Sequence, residues 1–141
     1  MRRILYVSTM SSPMGDAELE AILEVARAHN DAQAITGLRL VIDDVFIQVL
    51  EGAGDTLNQL VAKIGDDPRH RDMTIVSDIV IETRDFSGWS MGFERMSLSR
   101  LISQQGFADI TGMADVFKVA GFSDLALDLM SSIYRTKKAV K

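Results

Sequence analysis

Two helical stripes set among strand-like runs constrain this chain more than any single residue does. Residues 3–9 are rich in β-branched and aromatic types and read as a strand. Leu19, Ile22, Leu23, Ala26 and Asn30 then recur at the spacing of one helix face, with Asp16 placed as N-cap and Glu18 in the first turn. Ile35 to Ile42 and Val45 to Glu51 read as two strands, and Asp43-Asp44 between them suits a tight hairpin, although the usual glycine is missing. Leu57, Leu60, Val61 and Ile64 form the second helical stripe, which Asp66-Asp67-Pro68-Arg69-His70 stops. Thr74 to Glu82 gives a fourth strand and Trp89 to Glu94 a short fifth. The order β-α-β-β-α-β is the split βαβ, or ferredoxin-like, arrangement: an α+β fold whose two helices cover one sheet face.

The other face needs a cover as well, because Leu5, Val7, Val49 and Val80 are apolar. The C-terminal third offers two stripes for it. One is Ile110, Met113 and Phe117; the other is Phe122, Leu125, Leu129 and Ile133, with Gly121 as a stop between them. The expected architecture is therefore a βαββαββ core over residues 1–95, with a helical extension over 96–141 that packs on the second face and carries output.

At 141 residues the chain is one domain with a short appendage, and its 47% apolar content can build a core without staples. A net charge of −5 argues against nucleic acid as a partner. The one basic cluster, Arg135 to Lys141, reads as a solvated tail. With no cysteine, disulfides, thiolate metal sites and thiol catalysis are excluded. His29 and His70 lack metal-ligand spacing, so no metal is expected. Arg2-Arg3 is followed by only a short apolar stretch, and no run is long enough to span a bilayer, so the cytoplasm is the expected location.

Against this frame, Gln48 is out of place. It sits between Phe46 and Leu50 on one face of an apolar strand, where an unsatisfied amide costs about 1–3 kcal/mol. Tyr6 lies within the first strand, which neighbours the third in this arrangement, and Asn30 falls on the apolar side of the first helix. Singly, each reads as a core polar residue bonded to backbone. Together they suggest a polar ligand held between the two helices.

Other residues admit two readings. Asp67, Arg69 and His70 end a helix, but they can also contact the ribityl or phosphate part of a nucleotide-like ligand, with Lys63 one turn upstream. Trp89 and Met91 can be ordinary core or can compete for one position near Gln48. Gly52-Ala53-Gly54 lacks the remainder of a phosphate-binding loop. Ser8 shows no triad partners, and Glu51 and Asp55 read as surface acids.

Six segments taken in order resemble the BLUF family, the blue-light sensors that use FAD. They are Leu5-Tyr6-Val7-Ser8, Ala26-Arg27-Ala28-His29-Asn30, Ile35-Thr36-Gly37, Phe46 to Gly52, Asp67-Pro68-Arg69-His70 and Trp89-Ser90-Met91-Gly92-Phe93. The resemblance runs from about residue 3 to residue 94. It implies a noncovalent FAD, with FMN as the alternative, inserted between the helices. It implies Tyr6 as photo-oxidised donor of an electron and a proton, and Gln48 as the bridge between Tyr6 and the flavin. Asn30, with His29 nearby, would bond the ring edge; Ser8, Lys63, Asp67, Arg69 and His70 would complete the flavin site. Trp89 and Met91 would carry the change toward the C-terminal helices. Ala26 stands where some members carry serine, and Asp43-Asp44 replaces a glycine-containing turn. The missing cysteine excludes a thiol–flavin adduct.

The expectation is a blue-light photoreceptor with no output enzyme in the same polypeptide. It would signal to a separate, unidentified protein or through a change in self-association as a homo-oligomer. Two rivals are a flavin-dependent oxidoreductase and a light-insensitive ferredoxin-like interaction module.

Overall fold

The computed structural model describes residues 1–97, 99 and 122–140. Its elements are β1 (Arg2–Met10), α1 (Asp16–Ala32), β2 (Thr36–Ile42), β3 (Val45–Gly52), α2 (Gly54–Gly65), β4 (His70–Val80), β5 (Gly92–Met96) and α3 (Phe122–Val140). The five strands form one mixed sheet in the order β4-β1-β3-β2-β5. β1 pairs antiparallel with both β3 and β4, β2 is antiparallel to β3, and β5 runs parallel to β2. The chain thus has the ferredoxin-like α+β architecture, with β5 added at one edge.

Strand alternation divides the core. Ile4, Tyr6 and Leu50 face α1 and α2, where they pack with Leu23 and Leu57. Met10, Val41 and Phe46 continue that face toward Leu19. Leu5, Val7, Ile47 and Val49 face the other way and pack against Ala126, Leu129, Met130 and Tyr134 of α3. That C-terminal helix therefore covers the second face. The stripe Ile110, Met113 and Phe117, and Gly121, lie outside the described residues.

Several local expectations need correction. Val80 is 80% exposed and is not on the second face: it ends the edge strand β4 opposite Arg2, on the side of the sheet that Ile4 shares and α3 does not cover. Asp16 does not cap α1. Gly15 holds the cap position without a side-chain bond, and Asp16 pairs instead with Arg95 at 2.5 Å. The fourth strand begins four residues early, at His70, because Thr9 and Met10 of β1 pair with Arg71 and His70. The fifth begins late, at Gly92, where pairing with Leu38 starts. Arg135 to Val140 is helical, as part of α3, and Arg135 is exposed on it.

The Asp43-Asp44 turn closes with Ile42 opposite Val45. Asp43 takes φ of 52°, a left-handed conformation that aspartate tolerates better than most residues, which explains how the hairpin forms without glycine.

Glu51 is fully buried, contrary to its reading as a surface acid, whereas Asp55 is exposed. The Glu51 carboxylate accepts from the backbone N–H of Asp85 (2.7 Å) and Phe86 (3.0 Å) and from the Thr36 hydroxyl (2.9 Å). It fastens the loop after β4 to the sheet, and a buried carboxylate is tolerated because its lone pairs are filled.

Candidate functional site

The β1–β3 register places Tyr6 opposite Gln48, and the β2–β3 register places Arg39 opposite Gln48 on the other side. Three polar residues therefore form a row across the centre of the sheet, all on the face that α1 and α2 cover. The row is buried: Tyr6 is 0%, Gln48 1% and Arg39 4% exposed. β1 shifts register against β4 on either side of the Tyr6–Val7 pair, between Leu5 and Tyr6 and between Val7 and Thr9, and such irregularities re-aim side chains.

The Tyr6 hydroxyl donates to Gln48 Oε1. Arg39 Nη2 donates to the same oxygen at 3.2 Å, and Gln48 Nε2 donates to Met91 Sδ at 3.3 Å. Both ends of the amide are thus engaged. Burial pushes the Tyr6 phenol up to about 12, an effect the nearby Arg39 charge partly offsets, so Tyr6 is a neutral phenol at ordinary pH.

A cleft of about 480 Å³ opens between α1 and α2 above this row. Gln48 and Arg39 lie at its floor. Ile22, Val25 and Ala26 of α1 and Leu60 and Ile64 of α2 give it apolar walls, and Val25 is 71% exposed there. His29 and Asn30 line it from α1; Lys63, Asp67, Arg69 and His70 line it from α2 and the segment that follows. Seven of the sequence-selected residues therefore meet in one cavity: His29, Asn30, Gln48, Lys63, Asp67, Arg69 and His70. Tyr6, Ser8, Trp89 and Met91 do not line it. Tyr6 and Met91 reach it through Gln48, and Ser8 through His70.

Asn30 ends the buried stripe of α1. Its Nδ2 donates to the Ser90 carbonyl at 2.8 Å, and its Oδ1 lies 3.2 Å from His29 Nδ1. One amide hydrogen remains for a ligand. Arg69 brackets Asp67 with its backbone N–H (2.9 Å) and its guanidinium (2.5–3.0 Å), which hold the Asp67 carboxyl down to about 2. Ser8 Oγ lies 2.8 Å from His70 Nδ1, so this serine has a histidine partner that its sequence position did not reveal. Burial, with the Arg39 charge beside it, lowers His70 to about 4 and keeps the imidazole neutral. Asp67 is engaged by Arg69, and among the described residues no carboxylate completes a catalytic triad.

Of Trp89 and Met91, it is Met91 that holds the position near Gln48 in this structure. Met91 is buried on the helix-covered face against Gln48, whereas Trp89 packs on Tyr134 of α3, with ring centroids 4.6 Å apart. Strand alternation fails here because 87–91 is irregular, with Gly88 at φ 83°. Gly92 then starts β5 without a Cβ, which would run into the Trp89 ring and Leu38.

The sequence reading missed Arg39. The signal was present: a two-residue turn between Ile42 and Val45 pairs Arg39 with Gln48 when one counts back along both strands.

Comparison with known proteins agrees with this geometry. The family described as "Sensors of blue-light using FAD" matches residues 1–92. The beta subunit of photoactivated adenylate cyclase from Euglena gracilis is 36% identical over 89 residues, covering 62% of this chain and 10% of that protein. The chain thus spans about a tenth of the length of the curated relatives it matches. The structure "BlrB - a BLUF protein, dark state structure" superposes with a TM-score of 0.66 at 27% identity, covering 82% of this chain and 88% of that one. Klebsiella pneumoniae BlrP1 with FMN and cyclic diGMP gives a TM-score of 0.63 at 31% identity, over 67% of this chain and 25% of that one. This chain belongs to the BLUF family, the flavin-binding sensors of blue light.

Proposed function

We propose that the cleft between α1 and α2 holds FAD noncovalently and that blue light rewires the hydrogen bonds of the Tyr6–Gln48 pair. The observation that carries this reading is a buried phenol donating to a buried amide at the floor of an apolar-walled cavity. Its volume lies in the range of small-molecule sites. The donor set suits a flavin: apolar walls for a flat ring, free amide hydrogen at Asn30 for its polar edge, and the cations Lys63 and Arg69 on its lining for a phosphate-bearing chain.

When bound, the flavin supplies light absorption and an electron acceptor. The chain supplies the rest. A phenol is a poor acid until an electron leaves it, after which its proton departs readily to Gln48. The Gln48 amide has a donor end and an acceptor end, so reversing it, or moving a proton from its nitrogen to its oxygen to give the imidic form, changes its bonds to Tyr6, Arg39 and Met91 without any covalent bond to the flavin. Asn30 and His29 orient the ring edge. His70 with Ser8, and Asp67 with Arg69, hold the far side and the ribityl chain. Residues 1–95 act as the sensor and 96–141 as the output element. The change passes from Met91 along the segment holding Trp89 to Tyr134 on α3, and from there to a separate protein or to self-association.

Reconstitution tests the cofactor. The protein should acquire flavin absorbance with FAD and bind it more tightly than FMN. Equal affinity would remove the adenylate half from the site, and no flavin uptake would leave an interaction module.

A further inference from the structure

Arg39 is the least expected residue in this site. It occupies an interior position of β2 between Leu38 and Leu40, yet its side chain joins the polar row at the floor of the cleft. Among the described residues no carboxylate pairs with it. Its guanidinium donates to Gln48 Oε1, lies 5.4 Å from the centre of the Phe46 ring, and has a buried Nε with no partner. Tyr6 and His70 are the titratable groups that feel its charge, and both are neutral; Asp67 and Arg69 line the same cleft.

We infer that Arg39 is a positioning residue for the switch. It holds the Gln48 amide with its oxygen toward Tyr6 and Arg39, and it opposes the reversed amide, so it shortens the life of the light-formed arrangement. The inference rests on the proposed photosensory function for its kinetic part only.

The argument is one of donors and acceptors. A tyrosine hydroxyl can donate or accept, so Tyr6 tolerates either orientation of Gln48. A guanidinium has five N–H donors and no acceptor, and it stays charged at every accessible pH. Reversing the amide would point Nε2–H at the cation and remove the side-chain acceptor that Arg39 has. The same reversal would turn Oε1 toward the Met91 thioether, which cannot donate. Both neighbours therefore favour one orientation, and of the two only Arg39 adds a charge. A buried ion that loses its hydrogen-bond acceptor is penalised more than a neutral group.

Two variants test this. Arg39→Met keeps the length and much of the volume of the side chain but removes charge and donors. Arg39→Lys keeps a cation that can only donate. Nuclear Overhauser contacts of the Gln48 side-chain amide protons report its orientation in darkness, whether or not flavin is present. In the wild-type protein the strongest contact should be to the Met91 methyl group. Arg39→Met should show contacts to both Met91 and the Tyr6 ring, and Arg39→Lys should resemble wild type. With flavin bound, dark recovery of the light-shifted spectrum should slow about tenfold or more in Arg39→Met, the factor expected from losing a charge-assisted hydrogen bond, and should return toward wild type in Arg39→Lys. An amide that keeps its single orientation without Arg39, or recovery in Arg39→Met within about twofold of wild type where tenfold is expected, overturns the inference. Failure to bind flavin, or the lack of any shift in the wild-type protein, would overturn the photosensory reading and leave the orientation measurement to decide the role of Arg39 by itself.

Discussion

Met91 touches the Gln48 amide through its sulfur, while Trp89, two residues earlier, stacks edge-on against Tyr134 on the opposite face of the sheet. One short segment therefore contacts Gln48 at one end and the C-terminal helix at the other. Asn30 ties its middle to α1 through the Ser90 carbonyl, and Arg27 Nε donates to the Met91 carbonyl at 2.9 Å. The contacts from Gln48 to α3 thus run through this one segment.

The Tyr134 end of that connection is open to test. Tyr134 donates to the Ser87 carbonyl at 2.6 Å and makes an edge contact with Phe86 at 5.5 Å. Tyr134→Phe should lower stability by about 1 kcal/mol through the lost hydrogen bond, and Tyr134→Ala by about 3–5 kcal/mol through the cavity it leaves. Urea denaturation monitored by circular dichroism measures both. The flavin spectrum in darkness should be unchanged in Tyr134→Phe, because Tyr134 does not line the cleft.

Glu51 should matter more to stability than any residue lining the cleft. Glu51→Ala leaves the Asp85 and Phe86 N–H groups and the Thr36 hydroxyl without their acceptor, and the expected loss is about 3 kcal/mol or more. Glu51→Gln keeps one acceptor oxygen and should lose about half as much, roughly 1–2 kcal/mol. Equal stability of Glu51→Ala and wild type in chemical denaturation would show that water replaces the carboxylate.

Acid should destabilise the protein through His70 before it acts through Asp67. The folded-state value of His70 is about 4, below its ordinary 6.5, because burial and the Arg39 charge disfavour the imidazolium. The unfolded chain therefore binds the extra proton first. The contribution is complete above about pH 6.5 and is lost as pH falls toward about 4. Asp67, held near 2 against an ordinary 3.8, contributes above about pH 3.8 and loses its effect only below that. A plot of denaturation free energy against pH should slope down between about 6.5 and 4, and His70→Gln should flatten it there.

Much of this was legible in the sequence because the signals were periodic. The stripe ending at Asn30 and the alternation around Gln48 indicate which face each residue occupies, and the split βαβ topology lets Tyr6 and Gln48 be neighbours; the β1–β3 register makes them so. What escaped was aperiodic. Val80 looks like a core residue, but its place at the end of an edge strand, opposite Arg2, follows from a register against β1 that shifts along β4. Glu51 reads as the polar end of a strand, and its burial depends on a loop more than thirty residues later. Trp89 and Met91 share strand parity, which means nothing in a segment that is not a strand. Arg39 was hidden by its apolar neighbours, although hairpin counting would have found it.

The photoactive pair can be separated from flavin binding by mutation. Tyr6→Phe fills nearly the same volume, so it should retain the flavin while abolishing the light-induced shift. Gln48→Leu should likewise bind flavin and lose the shift, with destabilisation of no more than about 1–3 kcal/mol because the Tyr6 hydroxyl and Arg39 are left without their acceptor. A normal photocycle in either variant removes that residue from the switch.

The most direct measurement is the visible absorption spectrum of the purified protein in darkness, immediately after blue illumination, and through recovery. A rewired Tyr6–Gln48 pair should give flavin bands that move slightly to the red and return fully in darkness, with no bleaching. Flavin bands that bleach, or that do not respond to light, would contradict the account and point to redox chemistry or a silent flavoprotein.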